Sequence, residues 1–207
     1  MAPSWRFEDL ARSAGRSFVA GIDEVGRGSL AGPVFAAAVI LDRESVPVGI
    51  DDSKLLSASR RDDLARRILS TALGVGIGSA GADEVDRINI RRATLRAMAR
   101  AVDALPLSPD HLLIDAAFLE EVDLPQESLI KGDRRSFSIA AASIVAKAVR
   151  DSVMEHYASS YPVFGFESNR GYGTAAHLSA LARFGPSPIH RLTFRRVRPE
   201  PQLTFEN

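Results

Sequence analysis

Cysteine is absent from this chain of 207 residues, and histidine occurs only four times. Without cysteine the chain forms neither disulfides nor thiolate zinc sites. Long hydrophobic runs are also missing: the longest, residues 34–41, is far shorter than the roughly 20 apolar residues of a membrane-spanning helix. The N-terminus has no apolar stretch typical of a signal peptide. These absences favour a soluble, cytoplasmic protein that does not enter a membrane, and any metal ion must be held mainly by oxygen.

The chain also lacks a net charge, since 26 acidic residues balance 26 basic ones. This balance argues against a protein that coats nucleic acid, although it leaves room for a local basic patch. Basic residues do cluster in two places, and the simplest interpretation of each cluster is a solvated face. The clusters are Lys131, Arg134 and Arg135, and then Arg191, Arg195, Arg196 and Arg198.

With 45% hydrophobic residues, the chain is long enough for one large core and too short for two independent ones. We therefore expect a single domain over residues 1–207 and a monomer. Its core should span about 18–194, after a short N-terminal extension, and the tail 199–207 should be flexible.

Strand patterns and helix patterns follow one another along the chain. Apolar runs predict strands at 18–22 and 33–41, from Gly74, at HLLID from His111 and at ESLIKGD from Glu127. Apolar spacing predicts helices from an N-cap at Ser57 to Gly74, at 83–105, at 137–157, and from an N-cap at Thr174 to a point before Gly185. This order predicts an α/β fold with three layers: a mixed five-stranded sheet flanked by helices, followed by a C-terminal helical segment.

Carboxylates follow three of the predicted strands. Asp23 and Glu24 come after the first strand, Asp115 after LLI and Asp133 after LIKG. If the first and fourth strands are parallel neighbours, their carboxyl ends meet at one edge of the sheet. Clustered carboxylates resist joint ionisation, and a divalent cation relieves that conflict. Asp-Glu after a strand is also common in simple turns, but three acidic strand ends favour a metal site.

Four motifs in this order and spacing closely resemble bacterial ribonuclease HII (type 2 ribonuclease H). They are GIDEVGRGSLAGPV, LLIDA, KGDRRSFSIAAASIVAKAVRD and NRGYGT, and the resemblance covers residues 18–194. It implies the ribonuclease H-like fold and a metal-dependent endoribonuclease that uses Mg²⁺ or Mn²⁺. Such an enzyme hydrolyses the RNA strand of RNA/DNA hybrids and incises 5′ to single ribonucleotides in duplex DNA. Its products carry a 5′-phosphate and a 3′-hydroxyl.

The resemblance also implies roles for individual residues. The catalytic residues and metal ligands would be Asp23, Glu24, Asp115 and Asp133. Asp151 is an alternative to Asp133, but it lies inside a predicted helix, where pairing with a neighbour on that helix or exposure to solvent is the simpler interpretation.

Substrate contacts are implied mainly by two glycine-containing motifs. Gly26, Arg27 and Gly28 would recognise the ribonucleotide, since a glycine lets backbone groups approach a 2′-hydroxyl. Tyr172, between two glycines, would stack on the sugar of the following deoxynucleotide and sense the RNA-to-DNA junction. Further positions near the phosphate backbone would be Lys54, Asn89, Ser143 and Lys147. For Asn89 and Ser143 an ordinary polar role in a helix stays open, and His177 is expected to be structural or a phosphate neighbour.

Two other functions are alternatives to this one. Ribonuclease HIII resembles this family but carries an extra N-terminal substrate-binding domain, for which Asp23 lies too near the start. A catalytically silent module that binds hybrids is the alternative from another class; four acidic residues facing phosphate argue against it. The tail PEPQLTFEN is faintly similar to a peptide that binds a sliding clamp, but its hydrophobic-aromatic pair is incomplete, so a disordered tail is the preferred interpretation.

Overall fold

The computed structural model describes residues 2–50 and 56–198. The strands in this part of the chain are Val19–Val25 (β1), Val34–Ile40 (β2), Gly74–Ala80 (β3), His111–Asp115 (β4) and Gln126–Leu129 (β5). The α-helices there are Arg6–Ser13 (α1), Ala58–Thr71 (α2), Ala82–Ile88 (α3), Ile90–Asp103 (α4), Phe137–Ser160 (α5), Phe166–Asn169 (α6) and Ala175–Phe184 (α7). None of the helices among these residues is both long and apolar enough to cross a membrane.

The strands form one mixed sheet in the order β3-β2-β1-β4-β5. Strand β2 is antiparallel to β1 and β3, whereas β4 is parallel to β1 and β5 is parallel to β4. The predicted five-stranded mixed sheet and the parallel pairing of its first and fourth strands are therefore confirmed. Ile22 lies opposite Ile114 in that pair, so the next residues along the two strands, Asp23 and Asp115, are neighbours.

Helices cover both faces of the sheet and complete the three predicted layers. Alternate side chains of β2 enter different clusters: Ala36 packs on the α4 side with Met98, and Ala37 on the α5 side with Ile144. Small residues let the helices approach closely. A β-carbon on Gly21 would overlap the backbone of α5, so this glycine lets α5 run directly beside β1.

Helix α1 is not among the predicted elements, and it ties the N-terminal extension to the core. Glu8 is buried, and its Oε1 accepts hydrogen bonds from the Ser136 hydroxyl, at 2.6 Å, and the Ser138 amide, at 2.9 Å. It thereby joins Ser136 in capping the N-terminus of α5. A helix of eight residues is marginal by itself, and it is the contact with α5 that stabilises it.

Several predicted boundaries are wrong in ways that matter for the site. Strand β1 extends to Val25, so Asp23 and Glu24 lie within it and do not follow it. The predicted helix 83–105 is two helices, because Asn89 adopts φ 69° between them. The predicted helix from Ser57 ends at Thr71 and does not reach Gly74, whereas the predicted start of the next strand at Gly74 is confirmed. The N-caps at Ser57 and Thr174 are confirmed by side-chain hydrogen bonds.

The C-terminal helical segment packs on the end of α5 and against the loop that follows β1. Phe164, Phe166 and Leu181 surround Met154 of α5. A β-bridge between Ala31 and His190 then joins this segment to the loop. The segment therefore supports a loop that begins only three residues after Asp23.

Candidate active site

Three carboxylates converge at the carboxyl ends of β1 and β4. Asp23, Glu24 and Asp115 each offer one oxygen, and these oxygens lie within 4.8 Å of one another. Asp23 is buried, and the other two are half-buried. The parallel pairing of β1 and β4 is what brings residues 23 and 115 together, as the sequence predicted.

Asp23 and Glu24 are successive residues of a strand, so their side chains point to opposite faces of the sheet. Asp23 lies on the α5 side, where the Ser143 hydroxyl donates to its carboxylate. Glu24 instead lines a groove of about 340 Å³ together with Thr94 of α4 and with Asp115. The pair therefore reaches one site from two sides of the sheet.

The electrostatics of this cluster favour a bound cation. Burial raises the pKa of the Asp23 carboxyl well above its usual range, and the neighbouring Glu24 carboxylate raises it further. Asp115 acts in the same direction, whereas the Ser143 hydroxyl and the Glu24 amide lower the pKa. Hard carboxylate oxygens with mutual repulsion are the donor set that Mg²⁺ and Mn²⁺ accept. The described residues therefore fit a divalent metal.

Asp133 lies beside this cluster but not within it. The prediction that it sits at a strand end is wrong, because β5 stops at Leu129 and Asp133 falls in the 3₁₀ turn Gly132–Arg134. That turn is tied to the site, since the Gly132 amide donates to Asp115 Oδ1 at 2.6 Å. Asp133 and Asp115 also line one groove of about 320 Å³.

The two glycines of the Gly-Arg-Gly motif differ in backbone conformation and in the space around them. Gly26 has φ 89°, and the side chain of Arg150 occupies the space that a β-carbon would need. Gly28 has no left-handed φ, and apart from its chain neighbours no atom lies within 4 Å of its ideal β-carbon position. Between them, Arg27 is largely exposed and its Nη1 lies 3.2 Å from Glu24 Oε1. The fold explains the glycine at 26 but not the one at 28.

Tyr172 is 38% exposed and sits on a turn that contacts the Gly-Arg-Gly loop. The carbonyl of Gly171 accepts hydrogen bonds from the amides of Leu30, at 2.8 Å, and Ala31, at 3.3 Å. The structure therefore places the two predicted substrate-contacting segments side by side, although Ser29 and Tyr172 are 143 positions apart in the sequence.

The remaining predicted contacts have other partners in this structure. Lys147 Nζ lies 2.6 Å from Asp151 Oδ1. This ion pair confirms the prediction that Asp151 pairs with a neighbour on its own helix. Asn89 caps α4, its Oδ1 accepting from the Arg92 amide at 3.1 Å. Ser143 contacts Asp23, as described above. Lys54 and the tail 199–207 lie outside the described residues.

A pair of buried histidines lies behind Tyr172. His177 Nδ1 is 2.9 Å from the Tyr172 carbonyl, its Nε2 is 2.9 Å from His190 Nε2, and His190 Nδ1 is 2.9 Å from the Ser187 amide. Because a carbonyl only accepts and an amide only donates, both rings are neutral, and His190 donates to His177. The structural role expected of His177 is confirmed.

Sequence reasoning missed two fully buried arginines, Arg150 and Arg191. Arg191 belongs to the C-terminal basic cluster, and its interpretation as part of a solvated face is wrong. Arg195, Arg196 and Arg198 of that cluster are exposed. For Arg150 the signal was an arginine in an alanine-rich, apolar helix, although a partner for it was not visible in the sequence.

Solved structures with the same architecture include three ribonucleases. Ribonuclease H2 from Pyrococcus horikoshii OT3 superposes with a TM-score of 0.75 at 22% identity, over 87% of this chain and 95% of that one. The ribonuclease HII of Archaeoglobus fulgidus, solved in complex with PCNA, superposes with a TM-score of 0.75 at 26% identity, over 89% and 98%. Bst-RNase HIII, solved with Mn²⁺, gives 0.70 at 23% identity, over 87% and 68%. The fold and the carboxylate cluster together define the class of this protein: it is a nuclease with the ribonuclease H-like fold.

Sequence comparison narrows this class. The ribonuclease HII family model matches residues 20–197. Ribonuclease HII of Geobacter metallireducens is 53% identical over 194 residues, which cover 94% of this chain and 91% of the relative. That of Bacillus licheniformis is 52% identical over 192 residues, which cover 93% and 75%. The chain belongs to the ribonuclease HII family. It is therefore a nuclease of the ribonuclease H type, whose substrate is the RNA/DNA hybrid.

Proposed function

We propose that the protein cuts the RNA strand of RNA/DNA hybrids and incises duplex DNA on the 5′ side of a single embedded ribonucleotide, leaving a 5′-phosphate and a 3′-hydroxyl. One observation carries this proposal. The carboxylates of Asp23, Glu24 and Asp115 converge within a few residues of Gly28, whose missing side chain the fold itself does not require. Two of the three carboxylates for cutting and an open backbone surface for recognising ribose thus lie on β1 and the loop that follows it.

Asp23, Glu24 and Asp115 would hold Mg²⁺ or Mn²⁺, with Asp133 as a fourth ligand from the adjoining groove. When bound, two such ions supply an activated water and stabilise the leaving oxygen of the phosphodiester. Ser143 orients Asp23 through its hydroxyl, and the Gly132 amide orients Asp115. These hydrogen bonds hold the carboxylates in place before a substrate arrives.

Recognition of the ribonucleotide would fall to the Gly-Arg-Gly loop. At Gly28 backbone groups are open to a 2′-hydroxyl, the group that distinguishes RNA from DNA. Arg27, exposed beside Glu24, can donate to a phosphate oxygen. Tyr172, half-exposed on the neighbouring turn, would stack on the sugar of the next deoxynucleotide and so sense the junction.

The phosphate backbone would run along the surface of α4 and α5. Asn89 lines a groove of about 650 Å³ with Arg91 and Arg92, and Arg91 also lines the groove that contains Glu24. This continuity supports the predicted phosphate contact of Asn89. Lys147 would have to break its ion pair with Asp151 before it contacts a phosphate. The phosphate contact of Lys54 also remains a prediction.

The test uses an end-labelled DNA duplex with one ribonucleotide, incubated with Mg²⁺ or Mn²⁺. The expected product is a single cut 5′ to the ribonucleotide that ends in a 3′-hydroxyl. An all-DNA duplex of the same sequence is the substrate control, and Asp115→Asn is the protein control, which should bind the duplex without cutting it. Absence of a cut, or equal cutting of the all-DNA duplex, refutes the proposal.

A contact of the tail 199–207 with a sliding clamp remains the alternative to the disordered tail that the sequence favours. It is supported by the Archaeoglobus fulgidus relative, which was solved in complex with PCNA. Deletion of residues 199–207 should weaken binding to an immobilised sliding clamp and leave cutting of a short duplex unchanged. Unaltered clamp binding by the shortened chain contradicts the prediction.

A further inference from the structure

Arg150 is a fully buried arginine that lies beneath both substrate-contacting segments. Its Nε donates to the Pro33 carbonyl at 3.1 Å, and its Nη2 donates to the Ser29 hydroxyl at 2.7 Å and to the Ala31 carbonyl at 3.3 Å. All three acceptors belong to the loop that carries Gly26 and Gly28. One guanidinium therefore holds the far half of this loop.

The same guanidinium holds the turn that carries Tyr172. Its Nη1 donates to the Arg170 carbonyl at 2.9 Å. Its Cζ lies 5.5 Å from the centre of the Tyr172 ring, within the range of a cation–π contact. The half-exposed ring thus has a fixed positive charge behind it.

Ser29 extends the connection back to the beginning of the motif. Its hydroxyl accepts from Arg150 and donates to the Gly26 carbonyl at 2.8 Å. Gly26 itself packs against the Arg150 side chain, where a β-carbon does not fit. A chain of direct contacts therefore runs from Gly26 through Ser29 and Arg150 to Tyr172.

In the described part of the chain, Arg191, the second buried arginine, donates hydrogen bonds to the loop but none to the turn that carries Tyr172. Its Nη1 donates to the Arg27 carbonyl at 2.9 Å, and its Nε and Nη2 donate to the Gly32 carbonyl at 3.0 and 2.8 Å. Neither guanidinium has a carboxylate within ion-pair distance in the part of the chain that the structure describes. Apart from the bond of Arg150 to Ser29, these guanidinium hydrogen bonds go to backbone carbonyls. Burying two charges for such contacts costs free energy, which favours a requirement for a defined loop shape.

We propose that Arg150 is a positioning residue that couples recognition of the ribonucleotide by the Gly-Arg-Gly loop to recognition of the RNA-to-DNA junction by Tyr172. This inference rests on the function proposed above and adds to it. A shift of Arg150 moves both segments together, so the ribose contact and the stacking contact form as one unit. The enzyme then prefers substrates in which a ribonucleotide and a following deoxynucleotide are both in place.

The test compares kcat/KM on two substrates, a duplex with one ribonucleotide and a continuous RNA/DNA hybrid. Their ratio is the junction preference, and a general loss of folded protein does not alter it. Arg150→Lys keeps the charge but loses the planar fork, so the preference should fall by about tenfold, as expected when a residue that orients a binding group is displaced. Arg191→Lys is the matched control: it should lower both values of kcat/KM and leave their ratio within about twofold of the wild type.

A double variant checks that Arg150 acts through the tyrosine. Tyr172→Ala alone should lower the preference, and Arg150→Lys added to Tyr172→Ala should lower it no further, since the coupled partner is already gone. Equal effects of Arg150→Lys and Arg191→Lys on the ratio, or additive losses in the double variant, overturn the inference.

If Arg150→Lys does not fold, Ser29→Ala tests the coupling between the two segments instead. This variant removes only the link between Gly26 and Arg150, and Ser138→Ala, at another buried serine, is its control. The preference should fall with Ser29→Ala and stay unchanged with Ser138→Ala; an unchanged preference in both overturns the inference. Failure of the wild type to cut either substrate refutes the proposed function, whereas a wild type that cuts both, with unaltered preference in these variants, refutes the coupling alone.

Discussion

The side chain of Arg150 lies where a β-carbon on Gly26 would be, while the corresponding space at Gly28, two residues later, is open. The two glycines of one motif therefore exist for different reasons. Gly26 permits a left-handed turn against a buried arginine. Gly28 is exposed and leaves space on the outside of the loop.

Alanine substitutions should separate these two reasons. Gly26→Ala should lower the free energy of unfolding by at least about 1–2 kcal/mol, the cost of a left-handed backbone alone. Gly28→Ala should change it by about 0.5 kcal/mol or less, yet reduce cleavage of ribonucleotide-containing duplex roughly 100-fold, because its methyl group holds the ribose away. Urea unfolding and cleavage rates measure the two effects. A Gly28→Ala enzyme with full activity would show that the loop does not approach the substrate there.

Ser143→Ala should weaken metal binding without unfolding the protein. The variant loses the hydroxyl that donates to Asp23, and loss of such an orienting hydrogen bond typically lowers metal affinity 10- to 100-fold. Titration of Mn²⁺ into the protein without nucleic acid measures this directly. Ser138→Ala, a change at a buried serine five residues earlier on the same helix, serves as the control. Equal Mn²⁺ affinity in both variants would instead favour the predicted phosphate contact for Ser143.

The histidine pair behind Tyr172 should make stability fall in acid. Burial lowers the pKa of His177, and burial together with His177 lowers the pKa of His190 to about 4. The unfolded chain takes up protons near pH 6.5, where the folded pair stays neutral. Stability is therefore complete above that pH and decreases as pH falls towards 4, by at most about 1.4 kcal/mol per pH unit for each site.

His190→Gln tests this expectation, since a glutamine amide can still donate to His177 but takes up no proton. Urea unfolding at pH 7.5, 6 and 5 should show a shallower decline than in the wild type. His156→Gln, at an exposed histidine, should leave the wild-type decline unchanged. An unaltered slope in His190→Gln would mean that the pair does not control acid stability.

Asn89 combines a capping hydrogen bond with a strained backbone. Its φ of 69° and ψ of 161° lie in a region that is almost restricted to glycine. Any other residue in this conformation loses about 1–3 kcal/mol of stability. Asn89→Gly should therefore match or exceed wild-type stability, because glycine loses only a few tenths of a kcal/mol as an N-cap. Asn89→Ala should lose about 1 kcal/mol.

The same pair of variants tests the predicted phosphate contact. If Asn89 contacts the substrate backbone, both variants should raise KM by a similar factor, although their stabilities differ. Recovery of wild-type KM in the stable Asn89→Gly variant would show that Asn89 serves the fold alone.

Much of the site followed from local pattern. Apolar runs and acidic strand ends predicted the mixed sheet and the meeting of Asp23 with Asp115, because a parallel pair of strands allows few alternatives. Boundaries were less accurate where the backbone conformation of one residue or a contact with a distant residue decides them. Asn89 breaks a continuous helical periodicity, and the 3₁₀ turn at Asp133 is tied to Asp115 by an amide 17 residues away.

By itself, the sequence determined the sheet, the carboxylates that converge on it and the family. These depend on periodicity and motifs within short stretches of chain. Only the tertiary structure showed that Ser143 contacts Asp23 and that Arg150 and Arg191 hold the loop that carries the Gly-Arg-Gly motif. A buried arginine and a solvated one look the same in a sequence, since what distinguishes them is a set of backbone carbonyls brought from distant segments. Packing places those acceptors, and with them the shape of the loop.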